Sequence, residues 1–441
     1  MMASDLWLIG ASCGGIALAI WLIARVGLHP FIGLLIGGLG VGLVAGMAPD
    51  KLVLALEKGF GDILRGTGLV VALGLGLGAI LQISGGAKAL ASAVLARTGD
   101  HYASLGALAA AMLIGMPLFF ETGTVLLLPI IAAGLADRGH DGAFRLKVML
   151  SALAGLSVLH ALMPPHPGPL IAVRELGADP ARTMLFGLIA AVPVALMSGP
   201  LLARFTTRGV VTESVGLIEP DSSLSAPVWR TLVVLLLPVG LIASGAVVRM
   251  GGGAPSAWIA LLSEPAIALL LANLAGLLLL LGQDLWRKSL QDVIWREAML
   301  PAGGILLGIG AGGALKQVLV EIGLPDLFAR LAAQGMLSPL LMAWLVAAAI
   351  RLATGSATVA TITASAIMAG VAAHQAVDPA LLVLAIGSGS VIFSHVNDPG
   401  FWLVKAYLGT STRDTFRTWS LLETAISVTG LGMVLLLSLV S

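Results

Sequence analysis

Residues 338–373 read SPLLMAWLVAAAIRLATGSATVATITASAIMAGVAA, and residues 101–136 read HYASLGALAAAMLIGMPLFFETGTVLLLPIIAAGLA. Each stretch is too long for one simple membrane crossing, which takes about 20 apolar residues. Each is also interrupted near its middle. The later one carries Arg351 and then Thr354-Gly355-Ser356-Ala357-Thr358; the earlier one carries Met116-Pro117 and then Glu121-Thr122-Gly123-Thr124. Charge is costly at membrane depth, and irregular backbone is tolerated there only against protein or a wet cavity. Both stretches are therefore expected to be re-entrant helical hairpins.

The rest of the chain agrees with a bilayer as its solvent. Of 441 residues, 58% are hydrophobic before 56 glycines are counted, and only 11% are charged. Soluble domains are roughly 45–50% apolar with glycine included and about 25% charged. The net charge of +1 gives no reason to expect a nucleic-acid partner, and the single cysteine, Cys13, excludes an internal disulfide or a multi-cysteine metal site. The N-terminus lacks the basic segment of a signal peptide, so Leu6–Ala24 is expected to remain as a membrane helix. Apolar runs predict further spans at 29–47, 66–83, 148–171, 183–203, 231–248, 256–283, 298–315, 379–404 and 418–440.

The chain also repeats itself. Gly78-Ala79-Ile80-Leu81-Gln82 resembles Gly313-Ala314-Leu315-Lys316-Gln317, and Glu121-Thr122-Gly123-Thr124-Val125 resembles the stretch Thr354–Val359. His160 with Pro165-His166-Pro167-Gly168 resembles His395 with Asn397-Asp398-Pro399-Gly400. The matches keep their order, and Gly78–Gly313 and His160–His395 have the same separation, which points to an internal duplication. The expected organisation is a first repeat over 1–203 with hairpin 101–136, a cytoplasmic linker over 204–230, and a second repeat over 231–441 with hairpin 338–373. Lys and Arg in 204–230, 284–297, 137–147 and 413–417 place those loops inside; 249–255 and 374–378 fall outside. Each half then has five spans plus one hairpin, so the copies are inverted and both termini lie outside. Lys51, Lys58 and Arg65 run against this pattern; they interleave with Asp50, Glu57 and Asp62, and 50–62 is read as an amphipathic surface helix.

Inverted repeats with interrupted helices mark secondary transporters, whose sites lie where the broken helices meet. Helix N-termini there attract anions. The two hairpin tips are read at Thr122-Gly123-Thr124 and at Thr354–Thr358, and the two broken spans at Pro164–Gly168 and Asn397–Gly400. Glu121 is the first candidate for carrying a coupling proton, because a carboxyl group at membrane depth can take one up and release it; a structural partner of Arg351 is the other reading. Asp398 is either a capping carboxylate or a second coupling group. Arg351 either clamps a substrate carboxylate or neutralises Glu121. The substrate-binding candidates are Thr122, Gly123, Thr124, His160, Pro165, His166, Arg351, Thr354, Gly355, Ser356, Thr358, His395, Asn397 and Asp398. The histidine spacing does not suit a metal, and no cofactor is expected. Glu423, near Arg417 and Trp419, reads as an interfacial anchor. Gly303-Gly304 and Gly308 to Gly313 follow no strand, so they read as close helix packing rather than a nucleotide loop.

At these residues the sequence resembles the gluconate permease family, the gluconate:proton symporters of bacterial inner membranes. The resemblance rests on Pro117-Leu118-Phe119-Phe120-Glu121, Pro164-Pro165-His166-Pro167-Gly168-Pro169, Gly355-Ser356-Ala357-Thr358-Val359-Ala360, and Ser394-His395-Val396-Asn397-Asp398 followed by Gly400-Phe401-Trp402. It departs from the usual pattern at Glu121-Thr122, Thr354 and Pro399. It implies an all-α, multi-pass inverted-repeat transporter, a homodimer, elevator-like movement of the hairpin-bearing domain, and a sugar-acid substrate driven by protons. A sodium-coupled carboxylate or D-amino-acid carrier is the nearest alternative. An intramembrane enzyme is a distant one, because no metal motif or nucleophile pair is evident.

Overall fold

The computed structural model describes residues 3–116, 119–136, 141–164, 166–212, 226–250, 256–333, 337–395 and 398–440. Among these residues the chain is all helix, with no strand. The first half contains α1 (Ala3–Ala24), α2 (Pro30–Val44), α3 (Pro49–Ile83), α4 (Gly86–Thr98), α5 (Ala103–Gly115), α6 (Phe120–Ala136), α7 (Gly142–Leu162), α8 (Pro167–Glu175) and α9 (Pro180–Leu196). The second half contains α10 (Val228–Met250), α11 (Pro265–Gly276), α12 (Lys288–Glu321), α13 (Leu324–Ala333), α14 (Pro339–Thr354), α15 (Ala357–His374), α16 (Pro379–Gly389), α17 (Pro399–Leu408) and α18 (Leu421–Leu437). Helical turns of four to six residues at Leu202–Thr206, Ala257–Leu262 and Thr412–Thr415 extend or join these elements.

Proline sets many of the starts. Pro30, Pro49, Pro167, Pro180, Pro265, Pro339, Pro379 and Pro399 each open a helix, where the missing N–H would have had no partner and the fixed φ already suits the helix. Aspartates cap several of them: Asp179, Asp378 and Asp398 each accept backbone N–H groups from the first turn. Eight helices among the described residues are long and apolar enough to cross a membrane.

Several expected boundaries move. The surface helix read at 50–62 and the span read at 66–83 are one helix, α3, bent by 46° between Arg65 and Gly68. Residues 284–297, read as a loop, are largely helical, because α12 begins at Lys288 and continues through the predicted span. In both cases the charged segment is amphipathic and no residue ends the helix before the apolar run begins. The span read at 256–283 is interrupted at Ser263 and Glu264. Two further helices, α4 and α13, occupy segments read as connections. Each follows a tight reversal at a glycine with positive φ, Gly85 (68°) and Gly323 (80°).

The helices form two packed groups. α3 and α12 run against each other and carry α1, α2 and α11. Their crossing is close because Gly59 and Gly313 meet there: a Cβ on Gly59 would lie 2.2 Å from the Gly313 carbonyl oxygen. The second group is built on α7 and α16, with α5, α6, α8, α9, α14, α15 and α18 around them. Almost every side chain of α16, and of α7 from Val148 onward, is buried. A Cβ on Gly387 of α16 would lie 2.1 Å from the Ala161 carbonyl oxygen of α7. Both of these central helices stop short, α7 at Leu162 and α16 at Gly389, and the chain resumes as α8 and α17. The first interruption covers 163–166, close to the predicted Pro164–Gly168; the second covers 390–398 and so begins well before the predicted Asn397–Gly400, where Pro399 and Gly400 already belong to α17.

Candidate functional site

α14 ends at Thr354 because Gly355 takes a left-handed conformation, φ 70°. α15 starts after Ser356, whose Oγ accepts the Val359 N–H at 3.3 Å. Nearby, the second broken span resumes at Pro399 with Asp398 as its cap; Asp398 Oδ1 accepts the Gly400 N–H at 2.7 Å. Arg351 joins the two breaks. Its Nη2 donates to Asp398 Oδ2 at 2.5 Å, and its Nη1 donates to the Gly355 carbonyl. Ser394 also donates to Asp398 Oδ2, and Trp419 Nε1 donates to Ser394 Oγ at 2.8 Å. Arg351 is 4% exposed and Asp398 8% exposed, so this is a buried pair whose carboxylate is fully hydrogen-bonded. Arg351 Nε has no hydrogen-bond partner among the described residues.

These groups line a cavity of about 320 Å³ between the two helix groups, a size at the lower end of small-molecule pockets. One wall is apolar and belongs to the first group: Ile23, Leu34, Ile305 and Ile309, with Gly304 and Gly308 flat between them. The other wall is polar and carries Glu121, Ser157, His160, Arg351, Thr354, Ser356, Thr358, Asp398 and Glu423. The N-termini of α6, α15 and α17 all reach the cavity, through Phe120-Glu121, Ala357-Thr358-Val359 and Pro399-Gly400. Three helix N-termini, two of them capped by Ser356 and Asp398, together with one guanidinium, suit an anion.

Of the residues singled out in the sequence, the cavity brings together Glu121, His160, Arg351, Thr354, Gly355, Ser356, Thr358 and Asp398. Others lie elsewhere. Thr122, Gly123 and Thr124 are not a hairpin tip. α6 begins at Phe120, so they fall in its first turns, and Thr124 is fully buried with its hydroxyl on the Phe120 carbonyl at 2.8 Å. Gly123 faces the Leu156 side chain. His166 lines a separate cavity of about 10 Å³ with Met116 and Phe119, while His395 contacts the Leu352 carbonyl at 3.0 Å. Pro165 and Asn397 lie outside the described residues. The ion pair of Arg351 is with Asp398 and not with Glu121, which was one of its two readings.

Two expectations reverse. Glu423 is not an interfacial anchor: it is 2% exposed, lines the cavity, and accepts the Ser157 hydroxyl at 2.5 Å. A π-helical turn at Phe416–Ser420 precedes it and places Trp419 inward, stacked on Phe120 with ring centroids 5.2 Å apart. The position of Glu423 within the otherwise uncharged run 418–440 was the available signal. Gly303, Gly304 and Gly308 do not serve close packing, since a Cβ on any of them would meet nothing within 4 Å. Gly310 and Gly313, by contrast, pack against Phe60 and Ile63.

The sequence profile of the GntP family permeases matches residues 6–440. The chain belongs to that family. It is 42% identical over 450 residues to a gluconate permease of Pseudomonas aeruginosa, covering 100% of this chain and 99% of that protein. It is 37% identical to a high-affinity gluconate transporter of Escherichia coli, covering 97% and 98%. Among solved structures it is similar to the YdaH transporter of Alcanivorax borkumensis, with a TM-score of 0.66 at 15% identity over 93% of this chain and 98% of that one. That likeness concerns the fold. This permease is thus a multi-pass transporter of the inner membrane, not an enzyme.

Proposed function

We propose that this permease imports D-gluconate, or a closely related hydroxylated monocarboxylate, together with protons. The observation that carries the reading is the cavity itself: a single guanidinium and three helix N-termini face it, and Glu121 opens onto it from the first turn of α6 with no cation paired to it among the described residues. The names of the permease's relatives supply the sugar acid. Arg351 and the N–H groups opening α15 hold the carboxylate; Thr354, Ser356, Thr358 and His160 meet the hydroxyls. Glu121 carries the proton, and Asp398, whose oxygens are already occupied, holds Arg351 in place. A proton on Glu121 removes a negative charge from the chamber the anion enters, which couples the two.

The topology belongs to the same reading. The matching order of α1–α9 and α10–α18 supports two inverted repeats, 1–203 and 231–441, joined by a cytoplasmic linker over 204–230, with both termini outside. The helix pairs α5–α6 and α14–α15 are then re-entrant hairpins. The group built on α7 and α16 moves against the group built on α3 and α12, and the chain acts as a homodimer, as its family resemblance implies.

Uptake of labelled D-gluconate into sodium-free proteoliposomes with an imposed inward proton gradient tests this. Accumulation that a protonophore abolishes is the expected result. Accumulation that appears only on adding sodium would replace the proton with sodium, and competition by unlabelled glycerate, D-serine and other sugar acids ranks the substrates.

A further inference from the structure

The charge inventory of the cavity carries a second step, which rests on the proton-coupled reading above. Four formally charged side chains line the cavity: Arg351, Asp398, Glu121 and Glu423. Arg351 and Asp398 cancel each other. Glu121 and Glu423 remain, on α6 and α18, and neither has a cationic partner among the described residues. Glu423 is nearly inaccessible and its hydrogen bond comes from the neutral Ser157 hydroxyl of α7. The other titratable group facing the chamber is His160, also on α7. With both glutamates ionised, an anionic substrate would enter a chamber already holding two uncompensated negative charges in a low-dielectric surround. One proton on Glu121 removes only half of that excess.

We infer that Glu423 is a second proton-carrying group, so that each monocarboxylate is carried with two protons. The balance is simple: two protons bring two positive charges, the substrate brings one negative charge, and one net positive charge crosses per cycle. Transport is therefore electrogenic and responds to membrane potential as well as to pH. The bland role for Glu423 is to tie α18 to α7 through Ser157. Glutamine in its place keeps a hydrogen-bonding oxygen for Ser157 and cannot titrate, so Glu423→Gln separates the two roles.

The experiment uses the whole protein in sodium-free proteoliposomes with labelled D-gluconate. One arm imposes an inside-negative potassium diffusion potential with valinomycin at equal pH; the other imposes an inward proton gradient with the potential clamped at zero. Wild type is expected to accumulate substrate in both arms. Glu423→Gln is expected to accumulate in the second arm only; reversal-potential measurements are expected to give two protons per gluconate in wild type and a flux independent of potential in the variant. If wild type responds to the proton gradient but not to potential, or its ratio is one, the second proton is wrong while the symport reading stands. Potential-driven accumulation persisting in Glu423→Gln would equally overturn the assignment to this residue. No response of wild type to protons in either arm would remove the symport reading itself. Should the variant not assemble, the wild-type ratio alone decides between one proton and two.

Discussion

Arg351 and Asp398 lie 47 residues apart in sequence, and the guanidinium of one is bound to the carboxylate of the other at the meeting point of two interrupted helices. Arg351 also holds the Gly355 carbonyl, and Asp398 also holds the Gly400 N–H. One ion pair thus fixes the end of α14 against the start of α17, and it does so on the wall of the cavity. Arg351 Nε is buried without a hydrogen-bond partner among the described residues.

That pair makes a stability prediction. Removing one member of a buried ion pair leaves an uncompensated charge, at a cost of about 3–5 kcal/mol. Asp398→Ala is expected to lower the unfolding midpoint in detergent strongly, and Arg351→Ala likewise. The double variant is expected to lose less than the two single losses added together. Strict additivity in such a cycle would mean that the two residues are not energetically coupled.

The contact between the two central broken helices makes another. Gly387 on α16 lies against the Ala161 carbonyl of α7, where a Cβ would fall 2.1 Å from the oxygen. Backbone cannot yield as a flexible side chain does, so Gly387→Ala is expected to cost about 1–3 kcal/mol through a forced shift of the helices. Reduced yield of folded protein and a lower thermal midpoint would report it. An unchanged midpoint would mean that the helices separate freely at this contact.

Much of this arrangement was legible because breakers and charges at membrane depth are rare. Gly355-Ser356 announced the break between α14 and α15, and Asp398-Pro399-Gly400 announced the cap and first residues of α17. What sequence could not convey were partners set by the fold. Glu423 stands beside Arg417 and Trp419 in the chain, which suggested an interface; its actual partner is Ser157, 266 residues away. Arg351 was read against a substrate carboxylate or Glu121, and Asp398, the partner that the fold supplies, was not among those readings. The helices α4 and α13 escaped notice because they are too short and too polar to register as spans. Thr122–Thr124 were read as a tip because those residues look like cap and turn formers; in the structure they continue a helix that has already begun at Phe120.

The apolar wall gives a prediction free of charge effects. Gly308 lines the cavity and has open space where a side chain would project. Gly308→Leu adds a side chain into a chamber of about 320 Å³ without touching a polar group. The fold is expected to tolerate it, with a near-normal unfolding midpoint, while the KM for uptake rises at least about tenfold, since each 1.4 kcal/mol of lost binding is tenfold. Gly308→Ala is expected to fall between. Normal uptake by the leucine variant would show that substrate does not occupy this chamber.

Glu121 provides the sharpest separation of binding from coupling. It opens α6, its carboxyl faces the cavity, and no cation among the described residues answers it. If it carries a coupling proton, Glu121→Gln fixes the site in a form equivalent to the protonated one. Substrate can then still enter, cross and leave, but without a proton taken up on one side and released on the other at this position. Exchange of labelled for unlabelled gluconate across the membrane is therefore expected to continue within about tenfold of the wild-type rate, while accumulation driven by a proton gradient falls below the wild-type level, to what a single proton on Glu423 can drive. The dependence of exchange on pH should flatten at the same time, because a group that titrates in wild type no longer does so. A variant that concentrates gluconate as far as wild type does would place this coupling proton elsewhere in the cavity.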